Sequence, residues 1–253
     1  MTSMSAAIAR QANGFSTAAS RLQRERRFFT GMAIAMAVVC FAGFAPSYYL
    51  KTQFGTPPLK PLVHIHGIVF TLWMVLLVVQ TALVANGRVA LHRGLGVAGA
   101  VLAVLMVALG AAVAIGRGQT ITPGVPHEMV LAFLAIPAVA LALFPSLVGA
   151  AVLLRRNAAA HKRLMILATS VILTAAVHRL LMRLIDPAIA PPYFFGATDL
   201  FIVALVVHDV VTRKRVHAAT IWGGLAVILA QPLSLVLAGS KTWLTFAHWA
   251  TGT

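Results

Sequence analysis

Seven apolar stretches divide this chain: residues 28–50, 62–85, 95–115, 129–154, 164–185, 194–211 and 221–238. Most are near the ~20 residues an α-helix needs to cross hydrocarbon. A backbone amide in lipid has no water to bond, so a spanning segment must satisfy its own hydrogen bonds, and a helix does so within one segment. With 60% hydrophobic and 10% charged residues and a mean hydropathy of +0.92, a water-soluble core is excluded. The expected fold class is an all-α integral membrane protein, a bundle of seven transmembrane helices. Pro137 and Pro145 in the fourth stretch and Pro232 in the seventh predict kinks.

The loop charges predict orientation. Fourteen Lys and Arg residues fall on one side: Arg10, Arg21, Arg24, Arg26, Arg27, Arg88, Arg93, Arg155, Arg156, Lys162, Arg163, Arg213, Lys214 and Arg215. The other side has four, Lys51, Lys60, Arg117 and Lys241. Cytoplasmic loops carry the excess of cations, so the N-terminus is expected in the cytoplasm and the C-terminus outside. Tyr48, Tyr49, Tyr193, Trp243 and Trp249 all fall on the external side, as an interfacial aromatic belt would. The expected organisation is a basic cytoplasmic arm (1–27), a seven-helix transmembrane domain (28–239) and an external interfacial segment (240–253). Residues 1–20 read as a disordered or surface-lying arm. They do not read as a cleavable signal, because Pro46 follows the only small-residue site near the end of the first apolar run. The net charge of +15 belongs to loops facing the anionic lipid bilayer. It interleaves with no stacking aromatics, so nucleic-acid binding is not expected. Cys40 is alone, which excludes a disulfide framework and a thiolate metal site.

The nine histidines carry what chemistry the sequence offers. A weak internal repeat orders them: His64 and His66 open the second stretch, whose hairpin ends in Arg88 and Leu91-His92-Arg93, and His127 opens the fourth, whose hairpin ends in Ala160-His161-Lys162-Arg163. His161 and His178 lie seventeen residues apart on the fifth helix, about 25 Å at 1.5 Å per residue, and so near opposite membrane faces. An inner layer then holds His92, His161 and His208. An outer layer holds His64, His66, His127 and His178 with Glu128 and Asp199. Two such layers suit two b-type haems held by imidazoles, with His92 and His161 the inner ligands and His66 and His178 the outer ones. The alternative is an outer-face copper, zinc or iron ion on His64, His66, His127, His178 and Asp199, because imidazole with carboxylate suits all three. The plain reading of His92 and His161 is contact with lipid headgroups.

Two histidines two apart on a helix point about 200° away from each other, so only one of His64 and His66 faces the bundle. His66, Trp73 and Gln80 share a stripe, which favours His66 inward; a polar seam between helices is the plain alternative. His178, Arg179 and Arg183 lie in or near the end of an apolar span, where ionisable groups are usually functional or paired. Asp199 is the expected partner of Arg179, and Asp186 that of Arg183. His208 and Asp209 read as the solvated end of the sixth helix.

The run His64-Ile65-His66-Gly67, Trp73, Gln80, Arg88, Leu91-His92-Arg93-Gly94-Leu95-Gly96, Ala160-His161-Lys162-Arg163-Leu164-Met165 and Arg179 resembles a family of bacterial polytopic membrane proteins of unknown function. That resemblance covers about the second to fifth helices and implies a fold and a bacterial inner-membrane location, but no activity. The element Leu91 to Gly96 is also similar to the Leu-His-Ser-Trp-Leu-Gly element of ascorbate-dependent transmembrane cytochromes b. There the histidine holds haem, a role that falls here on His92, although Arg93 and Gly94 replace Ser and Trp. Three expectations stand: a b-haem electron-transfer protein with a quinone or respiratory-chain partner, an outer-face metal-binding membrane protein or enzyme, and a non-catalytic membrane subunit or assembly factor. No phosphate loop, nucleophile elbow or HExxH motif is present, and five carboxylates leave little for acid–base work.

Overall fold

Lipid forces helix wherever a segment is apolar for long enough, and the computed structural model of the chain follows that rule. It describes the backbone of residues 2–121 and 123–253 and the side chains of residues 20–121 and 123–253. In chain order the elements are α1 (Thr2–Phe44), a π-helical turn (Ala45–Tyr49), α2 (Pro61–Ala85), α3 (Val89–Gly118), α4 (His127–Phe133), α5 (Ala135–Leu153), α6 (Ala158–Leu184), α7 (Pro191–Arg213), α8 (Ala218–Ala238) and α9 (Lys241–Thr251). No strand occurs among the described residues. Among the described residues seven segments are long and apolar enough to cross a membrane, with α4 and α5 forming one of them. Each overlaps one of the seven stretches read from the sequence. Much of the arm expected at 1–20 falls outside the described side chains, and the α1 backbone is helical from Thr2 onward.

Proline sets the local breaks. Pro137 offers no N–H to the Phe133 carbonyl and its ring crowds that group, so α4 stops at Phe133 and α5 resumes at Ala135. Pro145 and Pro232 stay inside α5 and α8. Pro61 and Pro191 open α2 and α7 in the first turn, where a missing N–H costs nothing.

α6 is the hub, packing on α1, α5, α7 and α8, and it is the most buried of the seven spans. Membrane helices approach closely through small residues. At the α1–α6 crossing Gly43 lies so near Ala176 that a Cβ would overlap the Ala176 carbonyl. Deeper in the bundle the buried Trp73 on α2 donates from Nε1 to Thr169 Oγ1 on α6 at 3.2 Å and meets the Phe144 ring of α5 edge-on at 5.1 Å. Because the spans alternate, the α2–α3, α5–α6 and α7–α8 connections share one end of the bundle, here called the basic end. The π-helical turn, the α3–α4 loop and α9 share the opposite end.

Candidate functional site

Each of two hairpins places a histidine in the opening turns of its second helix, His92 on α3 and His161 on α6. Asn157 caps α6, its Oδ1 accepting from the Ala160 N–H at 3.1 Å, which fixes the start of that helix. The fold brings the two imidazoles together, ring centres 6.2 Å apart and planes at 82°. His161 Nδ1 lies 2.8 Å from the Ala151 carbonyl of α5. A carbonyl only accepts, so Nδ1 carries the proton and Nε2 keeps a free lone pair. His92 Nδ1 is buried without a hydrogen-bond partner, as is Gln80 Oε1 of α2. Both hairpins place the histidine at the fourth residue of the second helix, and that of α6 is tied to a carbonyl of the preceding helix. Buried polar atoms in native proteins are nearly always bonded, so the unpartnered His92 nitrogen stands out, as do those of His66 and His208.

The outer histidines do not gather in this way. His66 turns inward on the stripe of Trp73 and Gln80, stacked on Phe70 with ring centres 4.0 Å apart, its Nδ1 buried without a partner. His64 faces the π-helical turn: the Tyr48 ring is 5.9 Å away, and the Tyr48 hydroxyl donates to the His64 carbonyl at 3.1 Å. Gly67 of the same motif is what lets the Tyr48 ring lie there, since any Cβ would overlap it. His178 meets Phe194 at 4.4 Å and Phe133 at 5.8 Å. His127 pairs instead with His248 of α9, a residue the layer argument left out. Asp199 accepts from Gln231 Nε2 at 2.7 Å. The five groups expected to share a metal ion therefore point to different neighbours. No set of three or more His, Cys, Asp or Glu side chains placed for one ion occurs among the described residues.

Two expected ion pairs are corrected as well. Arg179 does not meet Asp199: its guanidinium lies 4.7 Å over the Phe44 ring and donates to the Ala175 carbonyl at 3.0 Å. The two residues share a depth but not a face, Arg179 turning toward α1 and Asp199 toward α8. Arg183 lies 4.4 Å over Phe54, and Asp186 Oδ1 accepts from the Ala188 N–H at 2.7 Å.

Among the described residues the fully buried ion pair is Arg163 with Asp209, both side chains 0% exposed. Asp209 had been expected at a solvated helix end. Instead α7 continues to Arg213, and Lys214, at φ 60°, turns the chain sharply toward α8. That turn aims the His217 N–H (3.1 Å) and the Thr220 hydroxyl (2.6 Å) at Asp209 Oδ2. Arg163 adds Nε at 3.0 Å and its second terminal nitrogen, and its remaining terminal nitrogen donates to the Ala159 carbonyl at 2.7 Å. Beside this network His208 stacks on Phe28 with ring centres 4.0 Å apart, and both its nitrogens are buried without hydrogen bonds. Lys162 reaches Glu25 of α1 at 2.6 Å. His217 caps α8, Nδ1 accepting from the Ala219 N–H at 3.0 Å; burial first, then the Arg163 and Arg213 charges, push its imidazole below the usual histidine range. The signal available in the sequence was scarcity: with five carboxylates against twenty cations, an aspartate beside an apolar run has few reasons to be there except a cation. Comparison with protein-family models, curated proteins and solved structures finds nothing that matches this chain.

Proposed function

We propose that this is a multi-pass protein of the bacterial cytoplasmic membrane that holds a b-type haem between His92 and His161 and passes electrons through it. The observation that carries the reading is the meeting of those two imidazoles across separate hairpins. With metal–nitrogen bonds of about 2.0–2.1 Å, one group held by both imidazoles would need ring centres no more than about 6.3 Å apart, and these lie 6.2 Å apart. His161 is also tied to the Ala151 carbonyl, the support that orients metal-bound histidines. Ligand number favours haem over a bare ion. A porphyrin brings four nitrogens and needs two imidazoles, whereas a structural zinc needs four protein ligands. Arg93, Arg155 and Arg156, on the connections at the same end, would supply counter-charges for propionates. The excess of basic residues puts this end in the cytoplasm, where a quinone or another respiratory-chain component is the expected electron partner. The likeness of Leu91 to Gly96 to the haem-holding element of transmembrane cytochromes b agrees. A second haem on His66 and His178 has less support, because no ring contact joins them.

The test is the absorption spectrum of the protein purified from haem-replete cells. A Soret band and sharp reduced bands are expected, lost in both His92→Ala and His161→Ala and kept in His66→Ala and His178→Ala. A colourless protein, or a spectrum indifferent to His92 and His161, overturns the proposal.

A further inference from the structure

A second imidazole pair sits at the opposite end of the bundle. His127 opens α4 and His248 lies on α9, with ring centres 6.0 Å apart and planes at 71°. His127 Nε2 is 2.7 Å from the Gly118 carbonyl, and His248 Nδ1 is 2.8 Å from the Thr253 carbonyl. Because carbonyls only accept, those two nitrogens carry the protons. His127 Nδ1 and His248 Nε2 are left with free lone pairs. This is the support pattern of metal-bound histidines, in which the nitrogen not facing the metal donates to a fixed acceptor.

The neighbourhood holds the pair in place without any ion. The Ser240 hydroxyl caps α9 by accepting from the Trp243 N–H at 3.1 Å. Trp243 Nε1 donates to the Leu131 carbonyl of α4 at 2.9 Å, and Gln119 Nε2 donates to the Thr251 carbonyl at 3.1 Å. Leu131, Leu134 and Ala247 close a small apolar cluster beneath. Both rings are partly exposed, so an ion can reach them from water. Two imidazoles on one ion place their ring centres about 4.5 Å apart when cis and about 6.3 Å when trans, a range that includes this pair.

We infer that His127 and His248 form a two-imidazole site for a first-row divalent cation, copper(II) ahead of zinc(II), which clips α9 onto α4. Imidazole is a good ligand for both metals, and copper(II) stands above zinc(II) in the order of divalent affinities. Water completes the coordination. The inference is independent of the haem reading, because it uses neither His92 nor His161.

The experiment is a copper(II) titration of the full-length protein in detergent, with bound metal counted by elemental analysis and the complex read by electron paramagnetic resonance. The wild type should bind one more equivalent than His127→Ala or His248→Ala, its spectrum should show coupling to two nitrogens, and zinc(II) should displace the copper only in excess. His92→Ala and His161→Ala should keep that equivalent. Equal stoichiometry in wild type and both variants, coupling to fewer than two nitrogens, or loss of the equivalent only with His92 or His161 would overturn the site and leave the haem reading to its own spectrum. Where an alanine variant misfolds, His127→Gln and His248→Gln carry the same comparison, and two-nitrogen coupling that persists in either of them overturns the site.

Discussion

Asp209→Asn is the sharpest perturbation the structure offers. The substitution keeps the side-chain shape and removes the charge that faces Arg163, in a place where both groups are fully buried. Asp209 receives donors from Arg163, Thr220 and the His217 N–H. An amide offers one oxygen to that ring of donors and points its own N–H groups at the rest. Arg163 then keeps the Ala159 carbonyl and the Phe29 ring, neither of which carries a charge, and Glu25 is already committed to Lys162. Breaking a buried ion pair from one side costs about 3–5 kcal/mol. Side-chain hydrogen bonds in membrane proteins average about 0.6 kcal/mol, because the unfolded state within lipid finds other partners. The larger figure should win here, since what is left behind is a whole charge. We expect about 3 kcal/mol, read as a shifted midpoint in detergent-driven unfolding followed by circular dichroism. Arg163→Met with Asp209→Leu should recover much of the loss, as apolar replacements of buried pairs do. A cost below about 1 kcal/mol, the scale of a single lipid-phase hydrogen bond, or a double variant that loses the sum of its singles, would refute the reasoning. The Arg179→Met and Asp199→Asn pair is the control and should be additive, because those side chains do not touch.

Three further outcomes are expected. His217 has a folded pKa below its ordinary 6.5, so the unfolded chain takes the proton first. Its contribution should be full above about pH 6.5 and fade as pH drops toward the folded value; His217→Ser should flatten that part of a stability profile while keeping a cap, and His217→Ala should cost about 1 kcal/mol. Gly43→Ala should destabilise by about 1–3 kcal/mol in thermal unfolding, since its methyl meets the Ala176 carbonyl, whereas Gly31→Ala on the same helix, with open space around it, should be neutral. Reporter fusions at Arg88, Ala158 and Lys214 should read cytoplasmic and those at Lys60, Gly124 and Thr253 external; an external reading at Lys214 would invert the assignment of the basic end.

What was legible in the sequence follows from which physical variable decided it. The spans depend on apolar length and on backbone self-sufficiency in lipid, both local, so the stretch read as 62–85 is the helix Pro61–Ala85. The break at Pro137 is local too. Which side chains meet depends also on the direction each helix face points, and composition carries little of that. His66 and His178 were placed at one depth yet turn to different helices, and Arg179 and Asp199 fail for the same reason. Asp209 was misplaced by its short distance from loop cations, although one more turn of α7 and the reversal at Lys214 close lipid and water off from it. His248 was invisible to an argument built on spans, because α9 is not one. His92 and His161 are the exception. Two hairpins of like design place a histidine at the fourth residue of each second helix. When adjacent copies of a unit carry the same residue at the same point, repetition supplies the facing direction that depth alone leaves open. That is why these two rings meet although their depth alone did not say that they would.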